Sequence, residues 1–514
     1  MAHQGHAQAE RWWSHIEYLA DDRMRGRETG SPEHRVAADY IARMFRKAGL
    51  RPGAGSSFIQ PVSFTARRIV EARSSVSLLR GGAEEKLTLG EDLTINVRVA
   101  NAPFTEARVI FAGYGLSIPS RNHDDFAGLD LNGKIVLVMP GGPKGIAGPL
   151  LSHSQSQRWS ELRKRGAIGL LTVSSPAGDT PWSRSSLARL NPQMTLTDAT
   201  LDETAGQRFN GAINPNAAEK FFAGSGKAAR PLIDAALKGE PLPSFDLPAS
   251  IRATIAMDSW PVESQNVIGI LPGKRSHGNR DLSNQYVVLS AHMDHLGVGS
   301  PIRGDSIFNG AMDNASGVAM LIEVARAAAA GKRSARSIIF IAVTGEEKGL
   351  LGSRYFANHP TVPARSIVAN INTDMFLPVI PMRSLIVNGL EESDLAADAR
   401  RAGASLGVEV VTDPEPARNA FTRSDQYSFI KKGIPSISLK TGFVKDSPEH
   451  ETIKRWRSDR YHAPSDDLGQ PVNFQSAALF SRLYLRIVQE IADRPTRPSW
   501  NADSFFRRMA PDRG

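Results

Sequence analysis

Several short runs place imidazoles and carboxylates just after apolar segments that look like buried strands. In an open α/β sheet the site lies beyond the carboxyl ends of the strands, so the residues just past each strand end are the candidates for chemistry. Tyr286–Ser290 leads into Ala291-His292-Met293-Asp294-His295, and a loop then carries Asn309-Gly310-Ala311-Met312-Asp313-Asn314 into a helix. Ser337–Val343 leads into Thr344-Gly345-Glu346-Glu347, and Ser366–Ile371 into Asn372-Thr373-Asp374-Met375. Tyr461-His462-Ala463-Pro464-Ser465-Asp466 comes later. His292, Asp313, Glu347, Asp374 and His462 together offer the imidazole and carboxylate donors that suit zinc. One carboxylate can bridge two ions, so five residues suffice for a pair of metals about 3.5–4 Å apart. The fourth carboxylate, Glu346, helps to offset the charge of two zincs. Its neighbour Glu347 can bind metal while Glu346 faces the water.

The elements that must position these residues emerge from pattern. Strands Tyr286–Ser290, Ser337–Val343, Ser366–Ile371 and Ile434–Leu439 alternate with helices Ala315–Ala330, Gly349–Asn358, Leu395–Ala404 and Ser424–Lys431. Short apolar strands separated by helices predict a largely parallel sheet covered on both faces. Phe474–Ala492 reads as a long amphipathic helix. Near the N-terminus, Trp12, Ile16 and Leu19 recur at helical spacing. Ser31-Pro32 starts a second helix, whose apolar face is Val36, Ala37, Tyr40, Ile41, Met44, Phe45 and Ala48. Between about residues 68 and 174 the texture turns to strands and Gly-rich turns, and 174–250 is polar and rich in Pro, Ala and Gly. Gly224-Ser225-Gly226-Lys227 lacks the upstream Gly and following Ser/Thr of a phosphate loop.

Composition narrows the field. The chain has 514 residues, 41% hydrophobic and 22% charged, a globular balance with length for roughly two to four domains. The absence of cysteine removes disulfides, thiol nucleophiles and thiolate metal sites. No stretch reaches the ~18 apolar residues of a membrane-spanning helix. The net charge of +9 is scattered rather than striped, and aromatics are 7%, so a solvated surface is expected and a nucleic-acid partner is not. Ala7-Gln8-Ala9 has the small-x-small form found near a signal-peptidase site, which makes export to the periplasm or medium the expectation.

The motifs resemble those of the bacterial dizinc aminopeptidases with co-catalytic metals, whose clan includes glutamate carboxypeptidase, glutaminyl cyclase and the transferrin receptor. The resemblance rests on Ala-His-x-Asp-His at 291–295, Gly-Ala-x-Asp-Asn-Ala-Ser-Gly at 310–317, Gly-Glu-Glu at 345–347, Asn-x-Asp-Met at 372–375 and Tyr-His-x-Pro at 461–464. Glu17-Tyr18-Leu19-Ala20, Gly26-Arg27 and Gly30 look like the family's N-terminus. Gly113-Tyr114-Gly115 and the run from Gly128 to Lys134 are similar to an inserted protease-associated domain. The resemblance implies an α/β fold: a three-layer αβα catalytic domain with a mixed, largely parallel sheet, plus a β-rich insert. Its parts would be 1–70, the N-terminal helical part of the catalytic domain; 71–260, the insert; and 261–514, the main zinc peptidase domain.

The same resemblance implies roles. His292 and Asp374 would complete one zinc, Glu347 and His462 the other, and Asp313 would bridge them. Glu346 would be the general base, taking a proton from the water and giving it to the leaving amine. Asp294 would hydrogen-bond His292, Tyr461 would steady the oxyanion, and Arg423 would touch substrate or product. His295 reads as a packed neighbour rather than a ligand. Gln426 stands where the family often has His. The implied activity is removal of N-terminal residues from peptides by attack of a zinc-bound hydroxide. A dizinc carboxypeptidase or an amidohydrolase of N-acyl amino acids is the nearest alternative. A receptor without catalysis is the remote one.

Overall fold

A computed structural model describes residues 2–146, 148–176, 181–276 and 281–510. The chain divides into two compact units, one of residues 1–63 with 263–514, the other of 64–262. All the residues singled out for chemistry lie in the first. Its elements are α1 (Ala2–Leu19), α2 (Pro32–Lys47), β1 (Met257–Leu271), β2 (Tyr286–His292), α3 (Ser316–Ala330), β3 (Ser337–Val343), α4 (Leu351–Asn358), β4 (Ile367–Asn372), β5 (Ser384–Asn388), α5 (Leu395–Ser405), β6 (Glu409–Val411), α6 (Gln426–Ile430), β7 (Ser436–Thr441), α7 (Pro448–Asp459) and α8 (Phe474–Asp493).

The strands that carry the site run in the order β1-β3-β2-β4-β7-β5-β6. The central four, β3, β2, β4 and β7, are mutually parallel. The flanks are mixed, with β1 antiparallel to β3, β5 antiparallel to β7, and β6 parallel to β5. Because side chains alternate along a strand, each central strand supplies two cores. Val287, Leu289 and Ala291 of β2 and Phe340 and Ala342 of β3 pack with α1, α2, α3 and α8 on one face. Val288 of β2 and Ile339, Ile341 and Val343 of β3 pack with Phe356 of α4 and Phe429 of α6 on the other. This is the three-layer α/β arrangement that fully apolar strands require.

The N-terminal helices are locked into this unit. Trp12 is buried, and its indole N–H donates to the Ser316 carbonyl at 3.0 Å. Ser31 caps α2 by accepting the His34 N–H at 3.0 Å, with Pro32 in the first turn. Ala37, Tyr40, Ile41 and Phe45 of α2 are buried as expected, but Val36 is 45% exposed. It sits one position off the i, i+3, i+4 rows that face the sheet.

Residues 64–262 form an eight-stranded sheet among the described residues, with Ile135–Val138 and Gly169–Val173 parallel near its centre. The polar stretch after 174 supplies strands Phe209–Ile213 and Ser244–Thr254, which its composition did not announce.

Candidate metal centre

Parallel strands end at the same edge, and the ends of β2, β3 and β4 deliver His292, Glu346, Glu347 and Asp374 to it. His292 is the last residue of β2 and is buried; its Nδ1 lies 3.1 Å from the Asp294 carbonyl oxygen. That hydrogen bond leaves Nε2 free to face the carboxylates. The expected bond from the Asp294 carboxylate is not there, since its nearer oxygen is 4.0 Å from Nδ1. Instead this carboxylate accepts the backbone N–H groups of Glu346 at 3.2 Å and Glu347 at 3.3 Å, and the Thr29 hydroxyl at 3.0 Å. Asp294 therefore fixes the turn that presents the two glutamates.

Asp313 does not begin the helix as its sequence position suggests. It adopts a non-helical, extended conformation three residues before α3, and the Asp313–Asn314 peptide is cis. Asn314 takes the capping role, accepting the Gly317 N–H at 3.0 Å. Asp466 clamps the same turn: its two oxygens accept the Met312 N–H at 2.9 Å and the Asp313 N–H at 3.0 Å. Gly310, at φ +61°, opens the turn, and a Cβ there would stand 2.3 Å from the Asp313 carbonyl oxygen. No side chain larger than hydrogen fits.

The donor atoms converge. Asp313 lies between two imidazoles, with Oδ1 3.2 Å from His292 Nε2 and Oδ2 3.3 Å from His462 Nε2. Asp374 Oδ1 is 3.4 Å from His292 Nε2, and Glu347 Oε2 is 3.3 Å from His462 Nε2. Two ligand atoms held at about 2.0–2.1 Å by one tetrahedral zinc stand about 3.3 Å apart. All four spacings are close to that value, so the donor chemistry and the separations both fit a pair of ions sharing Asp313. His295, read from sequence as a packed neighbour, is buried with Nδ1 2.8 Å from the other Glu347 oxygen, Oε1. It forms a second compact donor group with Asp313 and Glu347, beside that of His292, Asp313 and Asp374.

The electrostatics match this crowding. Burial disfavours a charged His292, but Glu346, Asp313 and Asp374 outweigh it and hold its pKa well above that of a free imidazole. Burial also opposes ionisation of Asp313, yet His292 and His462 hold its carboxyl well below the usual range. Glu347 is likewise lowered against burial, by His462 and His295. Glu346 goes the other way: burial and the nearby carboxylates of Asp374, Glu347 and Asp425 push it well above the usual carboxylate range.

Tyr461 stacks on His462 with ring centroids 3.9 Å apart, and burial, then the surrounding carboxylates, pushes its phenol up. It lines a cavity that also touches Asp313, Glu346, Asp374 and His462. Arg423 lines the cavity too, exposed, with Nη1 3.4 Å from the Arg418 carbonyl oxygen. Gln426 faces inward: it accepts from Asn372 Nδ2 at 2.8 Å and donates to the Ala420 and Phe421 carbonyls.

Two residues that hold the site carry no role in the sequence motifs. Asp466 lies two residues beyond the Tyr-His-x-Pro run and four beyond His462. Arg27 is buried and donates to the carbonyls of Met293, Leu19, Asn309 and Gly310. Its only sequence signal is the Gly26-Arg27 pair.

Residues 266–488 match the model of Peptidase family M28. A probable zinc metalloprotease of Pyricularia oryzae is 34% identical over 283 residues, 48% of this chain and 54% of that protein. Aminopeptidase YwaD of Bacillus subtilis is 32% identical over 210 residues, 40% of each. The chain thus spans about half, or less, of the length of these curated relatives. An aminopeptidase from Aneurinibacillus sp. strain AM-1 has the same fold, with a TM-score of 0.57 at 20% identity over 97% of both chains. Every donor of the cluster, from His292 to His462, falls within the stretch that matches the model of Peptidase family M28.

Proposed function

We propose that the protein is a dizinc exopeptidase that releases N-terminal residues from peptides. The observation that carries this reading is Asp313 standing between His292 and His462, each imidazole also meeting a carboxylate of its own, Asp374 or Glu347. His292 and Asp374 would hold one zinc, His462 and Glu347 the other, and Asp313 both; His295 orients Glu347 through Oε1. Two zincs held there would polarise the scissile carbonyl and lower the pKa of a water toward neutrality. Glu346, which among the described residues has no basic hydrogen-bond partner and has the carboxylates of Asp374 and Glu347 near it, is suited to accept that water's proton on its carboxylate and return it to the leaving amine. Tyr461 keeps its phenolic proton and can donate it as a hydrogen bond to the carbonyl oxygen as charge develops there. An N-terminal amine is the substrate group favoured by the names of the relatives, YwaD and the Aneurinibacillus enzyme.

The same reading takes residues 71–260 as an inserted protease-associated domain, supported by the Gly-Tyr-Gly and Gly128–Lys134 runs, and export from the cytoplasm is supported by Ala7-Gln8-Ala9.

The test is a digest of one peptide pool, half with free and half with acetylated N-termini, read by mass spectrometry with and without a chelator. Chelator-sensitive laddering from free N-termini alone is expected. Cleavage of the acetylated half, or trimming from the C-terminus, would replace this reading with the amidohydrolase or carboxypeptidase one.

A further inference from the structure

The cavity beside the metal centre has about 140 Å³ of room, which suits an amino-acid side chain. Met375, Leu377 and Phe443 give it an apolar wall. Its floor is the sheet. β5 and β7 run antiparallel with Ile386 opposite Lys440 and Asn388 opposite Ser438. Residues directly opposite share a sheet face, and all four line the cavity. Asn388 Nδ2 donates to Ser438 Oγ at 3.2 Å. Lys440 is partly buried, and its side chain has no ion-pair or hydrogen-bond partner among the described residues.

The other charges that line the cavity do not supply one. Glu415 is committed to Arg457 at 2.7 Å and to His450 at 3.2 Å. Asp413 spends an oxygen on the Glu415 N–H at 2.8 Å. Arg418 and Arg423 add two more cations. Asp313 and Asp374 belong to the proposed ions and Glu346 is the proposed base. An ammonium drawn partly out of water without a counter-charge is unfavourable, and a carboxylate brought by a ligand would relieve it through a charge-assisted hydrogen bond.

We propose that Lys440 anchors a substrate carboxylate, and that its source is the side chain of an N-terminal glutamate or aspartate, making the enzyme selective for acidic N-termini. This selectivity rests on the exopeptidase reading. The metal centre holds the scissile bond, Met375 and Leu377 cover the aliphatic part of the side chain, and Lys440 with Asn388 and Ser438 receives its carboxylate. The same chemistry fits the α-carboxylate of a short peptide, so the test separates the two sources.

The zinc-loaded full chain is assayed on Glu-, Gln- and Leu-4-nitroanilide, and on Leu-Leu against Leu-Leu-amide, for wild type, Lys440→Met and Lys440→Arg. In wild type, Glu should exceed Gln in kcat/KM by about tenfold or more, carried mainly by KM. That ratio should collapse toward one in Lys440→Met and survive in Lys440→Arg. Equal rates on Glu and Gln in wild type, or a ratio that persists in Lys440→Met, overturn the proposal. A Lys440-dependent preference for Leu-Leu over its amide, without a preference for Glu, keeps the anchor and overturns the acidic side chain as its source. Calorimetry of free glutamate against glutamine supplies a readout independent of turnover. Lys440-dependent tighter binding of glutamate with no hydrolysis of any substrate would uphold the anchor while sinking the exopeptidase reading. Rapid hydrolysis of all three anilides at equal rates would do the reverse.

Discussion

Glu347 spends one oxygen on His295 and the other on His462, whereas Glu346, one residue earlier, feels the His292 imidazole on one hand and the carboxylates of Asp374, Glu347 and Asp425 on the other. The Asp294 carboxylate holds both backbone N–H groups, so the pair is fixed as a unit while the side chains diverge. Glu346→Gln should therefore retain zinc, measured by metal analysis of the purified protein, and lose about 10²–10⁴ in kcat. Full turnover would remove Glu346 from its role as base. At this scale the sequence is most informative where chemistry sits in short runs. His292, Asp313, Glu347, Asp374 and His462 are legible because short motifs, most of them at strand ends, announce them. The Asp294 carbonyl bond to His292 is not, because whether a carbonyl or a carboxylate takes an imidazole nitrogen depends on the dihedrals of one loop. His295 against Glu347 is hidden for a similar reason: the contact crosses from the end of β2 to the end of β3.

Loops rather than strands hold the centre at the scale of elements. Arg27 reaches four carbonyls, among them those of Asn309 at 2.6 Å and Gly310 at 3.0 Å, just before the turn that sets Asp313. Burial lowers its pKa only to about 10, so it remains charged at neutral pH. Arg27→Met would leave those buried carbonyls unsatisfied. It should cost more than about 3 kcal/mol in urea unfolding and weaken zinc retention as well, although Arg27 touches no proposed ligand. An unchanged unfolding midpoint would contradict that account. The central strands and helices are legible from apolar runs alone. The cavity floor is not: Lys440 shares a face with Ile386 only because β7 pairs with β5 in one register, and the segments that pair are far apart in the chain.

For the molecule as a whole, the centre is a liability without its ions. Asp294, Asp313, Glu346, Glu347 and Asp374 crowd one sheet edge, and ions that neutralise them bind only the folded chain. Zinc at a hundredfold excess over its Kd should add about 2.7 kcal/mol per site. Chelation should accordingly lower Tm in calorimetry, and Asp313→Asn should abolish most of the difference. A Tm indifferent to chelator would mean the cluster holds no metal. Composition bounds this scale by excluding thiolate sites; among the described residues no helix is long and apolar enough to cross a membrane. The unit boundaries at Ser63 and Glu263 fall inside strands that run through both, so a change of sequence texture there is gradual rather than sharp.

Arg27 meets partners 266 to 283 residues later in the chain, and Asp466, which sets the Asp313 turn, is made later still. At about 5–20 residues per second of synthesis, the first helices wait roughly a quarter of a minute to a minute for the segments they must grip. The intervening residues 64–262 can finish folding in that time. The proposed centre can close only after His462 and Asp466 have been made, so a nascent chain that lacks them has no complete donor set.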